Sequence, residues 1–271
     1  MKHLKKTILL FSFLLVISAG CQKDQSTAIT ENLAPITTEE SSLLAEQTFS
    51  DINSFSDNFM GVSGLKSQPV ETCPSVTWNL SALPFSLTFD WDKGCLGTDN
   101  IARKGKITVS LSGKMNIENS IATFSFNNFY TEGYKITGIH RITYKGFNTG
   151  STNPRYSVFT EAKIEFPNQK FMTYRAEYWR ILAEGAGTAT LDDDVWRVEG
   201  TSRGVTADGL SWSATVNTAL VKSAKCHWIS KGIMLITPKD QPQYKVDFGD
   251  GTCDNKVTVT KEGKTSIIEM K

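Results

Sequence analysis

From Val76 onward the chain alternates apolar and polar residues with a period of two. Tyr156, Val158, Thr160, Ala162, Ile164 and Phe166 fall on one side of such a stretch, with Ser157, Glu161, Lys163 and Glu165 on the other. Leu210, Trp212, Ala214, Val216 and Leu220 repeat the pattern against Ser211, Ser213, Thr215 and Asn217. One wet face and one apolar face per strand is what antiparallel pairing produces. Glycines such as Gly105, Gly133, Gly146, Gly185, Gly209 and Gly263 punctuate the runs. About a dozen strands are therefore expected, with no second long helix. Residues 70–271 read as one all-β domain, an antiparallel meander forming a sandwich or a broad curved sheet.

Upstream the period changes. Thr37 stands three residues before Glu40, the spacing of a capping box, and Leu44, Phe49, Ile52, Phe55 and Phe59 then recur at intervals that suit one face of a helix. The expectation is a short N-terminal amphipathic helix reaching Met60 and ended by Gly61 and Gly64, inside a helix-and-linker segment over 37–69. Its apolar stripe is expected to pack on the β domain.

The first twenty residues have a different composition again. Lys2, Lys5 and Lys6 precede an apolar run from Ile8 to Ile17, and Ser18-Ala19-Gly20-Cys21 follows at once. A basic head, a short apolar core and small residues at a cleavage point form a secretory signal peptide over 1–20. The apolar run is about half the roughly 20 residues that a spanning helix needs. The cysteine after small residues resembles a bacterial lipoprotein signal. That resemblance implies a Cys21 thiol that is diacylated and becomes the new N-terminus. Two or three acyl chains anchor stably, since each buried methylene contributes about 0.8 kcal/mol. The aliphatic residue usual three places before the cysteine is here Ser18, with Ile17 one further back. Residues 21–36 hold few large apolar side chains and read as a flexible tether. The implied address is the cell envelope, an outer-membrane-anchored lipoprotein facing either the periplasm or the surface.

Charge narrows the function classes. The chain carries 29 basic and 28 acidic side chains; removal of residues 1–20 takes three lysines and no acids, leaving 26 against 28. No basic stripe remains to receive nucleic acid.

The phrase DWDKGCLGTDNIARKGKITVSL, from Asp90, is echoed by DFGDGTCDNKVTVTKEGKTSIIEM, from Asp247. In each copy a strand enters a glycine turn bearing a cysteine and resumes behind Gly-Lys, at Gly105-Lys106 and Gly263-Lys264. The phrase reads as a hairpin device at equivalent edges of a sheet. Apart from Cys21 there are four cysteines, Cys73, Cys95, Cys226 and Cys253, which allow three pairings. A repeated unit repeats its own staple, so the expected disulfides are Cys73–Cys95 and Cys226–Cys253, each contributing about 3 kcal/mol on the chain-entropy account. The body also resembles all-β lipoproteins of Gram-negative envelopes in which Asp-Phe-Gly-x-Gly-x-Cys recurs. The phrase stands whole at Asp247 to Cys253 and altered at Asp90 to Cys95. That resemblance implies location and fold, and no activity.

Several chemistries compete for the remaining residues. Asp90, Asp92 and Asp99, and likewise Asp247, Asp250 and Asp254, gather carboxylates around glycine turns and offer oxygen ligands to Ca²⁺, although neither copy fits an EF-hand loop. Asp192-Asp193-Asp194 is a third acidic turn. Asp and Gly are equally the ordinary residues of turns. His140 and His227 are the two histidines beyond the signal, and His140 shares a strand face with Tyr134, Ile136, Ile142 and Tyr144, as a core residue would. No GxSxG, Walker or HExxH motif occurs. Glu161, Glu165, Glu177 and Glu184 could supply a two-carboxylate hydrolase, given a cleft holding two of them roughly 5 to 10 Å apart. In FMTYRAEYWRIL, Arg175, Glu177 and Trp179 occupy the wetter face of a strand, as an aromatic platform for a glycan would. The sequence thus points to an envelope-anchored binding or structural protein, with glycan binding at Trp179 and glycosidase-like hydrolysis as alternatives, and with the membrane, a glycan or an envelope protein as partner.

Overall fold

The structure, a computed structural model, describes residues 37–60, 73–97 and 99–270, with 58–60 described by backbone alone. Cys21, the signal segment, the tether, Gly61, Gly64 and the side chain of Phe59 lie outside the described set. Among the described residues one helix, α1 (Thr38–Met60), precedes fourteen strands. The first five strands are β1 (Ser75–Asn79), β2 (Phe85–Asp90), β3 (Cys95–Leu96), β4 (Ala102–Leu111) and β5 (Ile121–Thr131). Next come the long central strands β6 (Tyr134–Phe147), β7 (Pro154–Glu165), β8 (Phe171–Glu184), β9 (Val195–Val205) and β10 (Ser211–Ser223). The series closes with β11 (Lys231–Pro238), β12 (Tyr244–Asp250), β13 (Lys256–Lys261) and β14 (Lys264–Glu269). All belong to one antiparallel sheet in the order β1-β2-β4-β5 and so on to β14, with β3 paired to β4 at the side. The meander is as expected, and the strands form one continuous sheet.

Alternation places the faces as read. Tyr156, Val158, Thr160, Ala162 and Ile164 of β7 are all buried, and so are His140, Tyr134, Ile136, Ile142 and Tyr144 of β6. Leu210 departs from its expected face: it precedes β10 in a turn and is exposed. Two hairpins close on the same dipeptide. Glu132-Gly133 joins β5 to β6 and Glu262-Gly263 joins β13 to β14, all four residues at positive φ. That is the turn whose twist matches paired strands. The echoed phrase is therefore not used identically. Gly263 makes this turn, whereas Gly105 sits inside β4 at a register shift, where any side chain would strike the Asn128 carbonyl of β5.

The helix starts as its sequence requires. Glu40 donates its amide to Thr37 Oγ1 at 3.2 Å, and Thr37 donates its own amide to Glu40 Oε2 at 3.2 Å. Its bounds are as expected, but it is not clearly amphipathic. It has 23 residues, which makes it about 35 Å long. Leu43, Phe49, Ile52 and Phe55 are buried, but so are Ser41, Ser42, Glu46, Gln47, Thr48, Asn53, Ser56 and Asp57. A surface helix would leave such residues in water. The reason lies in the sheet. Thirteen strands in sequence at about 4.8 Å spacing would lie nearly 60 Å wide if flat, against a helix about 10–12 Å across. Yet inward side chains of β2, β6, β8, β9, β12 and β13 all reach α1: Phe89, His140, Tyr178, Ser202, Tyr244 and Lys261. The sheet curls, and α1 runs through its concave side within the main apolar core.

Candidate functional site

Several buried polar residues of α1 meet partners from distant strands, while Ser42 and Ser56 bond to carbonyls of the helix itself. Glu46 Oε1 accepts hydrogen bonds from Tyr178 and Ser202, each at 2.7 Å; burial nevertheless pushes its carboxyl up. Asn53 Oδ1 lies 3.0 Å from His140 Nε2, and Thr160 Oγ1 lies 2.9 Å from Nδ1. The carbonyl-type oxygen opposite Nε2 assigns the ring proton there, so Nδ1 accepts from the threonine hydroxyl. Arg180 closes on Asp57 with two bonds, 2.6 and 3.2 Å, and stacks over Trp196 at 4.1 Å.

Beside the C-terminal half of α1 the packing opens into a cavity of about 260 Å³. Asp51 and Asp57 border it from the helix, Asp99 from the loop before β4, Asp194 ahead of β9, Lys222 from β10, and Lys225 and His227 from the turn before β11. Cys226 also lines it, so the Cys226–Cys253 pair, 5.6 Å between Cα atoms, pins this wall to the loop after β12. Gln47 Nε2 donates to Asp51 Oδ1 and to the His227 carbonyl, both at 2.8 Å, and His227 Nδ1 stands 3.5 Å from Asp51. Lys222 donates to the Cys226 carbonyl. Arg103 holds Asp99 through bonds of 2.7 and 3.0 Å.

Burial dominates the electrostatics. It pushes the Asp51 carboxyl up to about 8, against the pull of Lys222 and Arg103. It holds the Lys222 ammonium below its ordinary value, against the attraction of Asp51, and it lowers the His227 imidazole, with Lys222 adding to the effect. An acid held toward its neutral form beside a base held toward its neutral form can exchange a proton or bind a polar molecule, and such perturbed groups cluster at functional sites.

The residues singled out from sequence lie elsewhere. Arg175, Glu177 and Trp179 share the outer face of β8, as alternation requires, but Arg175 is tied to Glu177 at 2.9 Å and to Glu161 at 3.2 Å. Trp179 is 37% exposed with the Arg155 guanidinium 3.5 Å over its ring. Arg175 and Glu161 border a shallow groove of about 610 Å³ on this outer face. Of the acids considered for two-carboxylate chemistry, Glu161, Glu177 and Glu165 stand in surface ion pairs, Glu165 with Lys163 at 3.1 Å, and Glu184 is exposed at the end of β8; the cleft carboxylates are aspartates instead. The acidic turns face their own backbone. Asp90 accepts from the Asp92 amide, Asp247 from Gly249, Asp250 from Thr252 and Asp254 from Lys256. Asp193 accepts the Thr188 hydroxyl. Among the described residues no three His, Cys, Asp or Glu side chains converge as a metal would need. Cys73 and Cys95 form the other disulfide pair, 6.4 Å between Cα atoms.

Asp51, Lys222 and the buried Arg180 escaped the sequence reading, though parity signalled two of them. Lys222 shares the inward face with Leu220, and Arg180 falls between Tyr178 and Leu182 on the apolar side of β8. No family model, curated protein or solved structure matches the chain.

Proposed function

We propose that this chain is an envelope lipoprotein, acylated at Cys21, whose β domain binds a small polar ligand in the cavity beside α1. The observation that carries the binding part is the group of ionisable side chains withdrawn from water around a hollow, at the edge of a core whose other buried polar groups are closed on one another. The anchoring part is supported by the basic, apolar and small-residue order of residues 1–21 and by two local disulfide pairs, which persist outside the reducing cytosol.

A thermal-shift screen of small polar metabolites tests the reading. At least one compound raises the unfolding temperature of the wild type, and Ala224→Trp, at the exposed rim of the cavity, abolishes the shift while leaving the unliganded protein folded. No shift with any compound contradicts the binding part. In bacterial cells expressing the full chain, Cys21→Ser releases the protein from the membrane fraction; continued sedimentation with membranes contradicts the anchor.

A further inference from the structure

Resting on the reading of this cavity as a ligand site, we infer that its ligand is a small organic anion whose carboxylate or phosphate group is received by the ammonium of Lys222. The charges around the hollow are unequally matched. Asp57 is closed on Arg180 and Asp99 on Arg103, each through two hydrogen bonds. Asp194 is buried and packs against Gly185 so closely that a side chain there would collide with its Oδ1. Asp51 already accepts the Gln47 amide.

Lys222 differs from all of these. It is 6% exposed, and its ammonium donates to one backbone carbonyl, that of Cys226. Among the described residues no carboxylate lies within ion-pair distance of it. An ammonium has three N–H donors, so two remain for whatever enters the cavity. Burial disfavours the charged form of Lys222, and Asp51, Asp57 and Asp99 attract it only from beyond bonding distance. An oxyanion supplies both the missing charge and the missing acceptors. Lys225, exposed beside the same cavity, adds a second positive charge that draws an anion in. Asp51 and His227 line the same hollow and offer hydrogen bonds to hydroxyls on the body of the ligand. At roughly 30 Å³ per water, the volume holds about eight or nine waters, which suits a group of metabolite size.

The test uses the purified full chain with inorganic phosphate and malonate as probes and glucose as the neutral comparison. Calorimetry is paired with amine acetylation read by mass spectrometry. Phosphate or malonate is expected to bind and to protect Lys222 from acetylation, while outer-face Lys245 is unaffected and glucose protects neither. Lys222→Met is expected to weaken anion binding at least about tenfold. Lys225→Ala, whose charge lies in water, is expected to weaken it no more than about threefold. The protection measurement needs no variant and stands even if Lys222→Met unfolds. Unchanged anion affinity in Lys222→Met, or an unprotected Lys222 while neutral compounds occupy the cavity, overturns the anion assignment and leaves the ligand site standing. Failure of every small molecule to bind overturns both.

Discussion

His140 shows at a single residue what the interior of this protein demands. It lies fully buried between Asn53 of α1 and Thr160 of β7, with Phe49 and Phe124 rings 5.6 and 4.9 Å away. Burial, helped by the nearby Arg180 charge, pushes its pKa down to about 3 from an ordinary 6.5. The folded state therefore refuses a proton that the unfolded chain accepts between those values. A depressed folded pKa means that the contribution is complete above 6.5 and is lost as pH falls toward 3. Stability should decline in that window by up to about 1.4 kcal/mol per pH unit from this residue alone. Urea unfolding across the acid range checks it. His140→Gln, which keeps an amide between Asn53 and Thr160, should show a flatter profile than the wild type, and an equally steep profile would refute the assignment.

At the scale of elements, α1 and β8 are joined by the Asp57–Arg180 pair, with both side chains under a tenth exposed. Removing one partner strands the other charge, so Asp57→Ala should cost about 3–5 kcal/mol. Replacing both, as Asp57→Leu with Arg180→Met, should cost far less, because two apolar side chains need no counter-ion. A double-mutant cycle measured by denaturant unfolding separates the two results, and additive losses would contradict a direct pairing. These elements were unequally legible in the sequence. The strands could be read because alternation is local: β7 declares its inward face in Tyr156 to Ile164. The start of α1 could be read because Thr37 and Glu40 are three residues apart. The burial of its polar side could not, because the groups that satisfy Glu46, Asn53 and Asp57 stand on β6, β8 and β9, roughly 90 to 160 residues away. Apolar periodicity reports what leaves water unaided, and says nothing of polar groups that leave water in pairs. The cavity was hidden for the same reason, although Lys222 and Arg180 on inward parity were the residues that break the apolar rule.

At the scale of the whole molecule, a single meander encloses a helix that is not greasy enough to be enclosed on apolar contacts alone. The inner face supplies aromatic surface, as where Phe49 stacks on Tyr174 at 5.3 Å and Phe55 meets Phe89 at 4.7 Å. It also supplies matched polar partners, from Tyr244 at one end to Arg180 at the other. Disulfides brace two places, ahead of β1 to β3, and from the turn before β11 to the loop after β12. The second of these holds the wall of the proposed ligand site, so helix, cavity and staple form one assembly. Such a helix has no independent reason to be stable; outside the sheet a peptide of this length and composition would be mostly unfolded. Native-state hydrogen exchange reads this directly. The amides of Leu43 to Phe55 should exchange as slowly as those of β6 to β8, through global opening. Exchange of those helix amides within seconds, while the strands stay protected, would contradict the enclosed helix on which the account of the site rests.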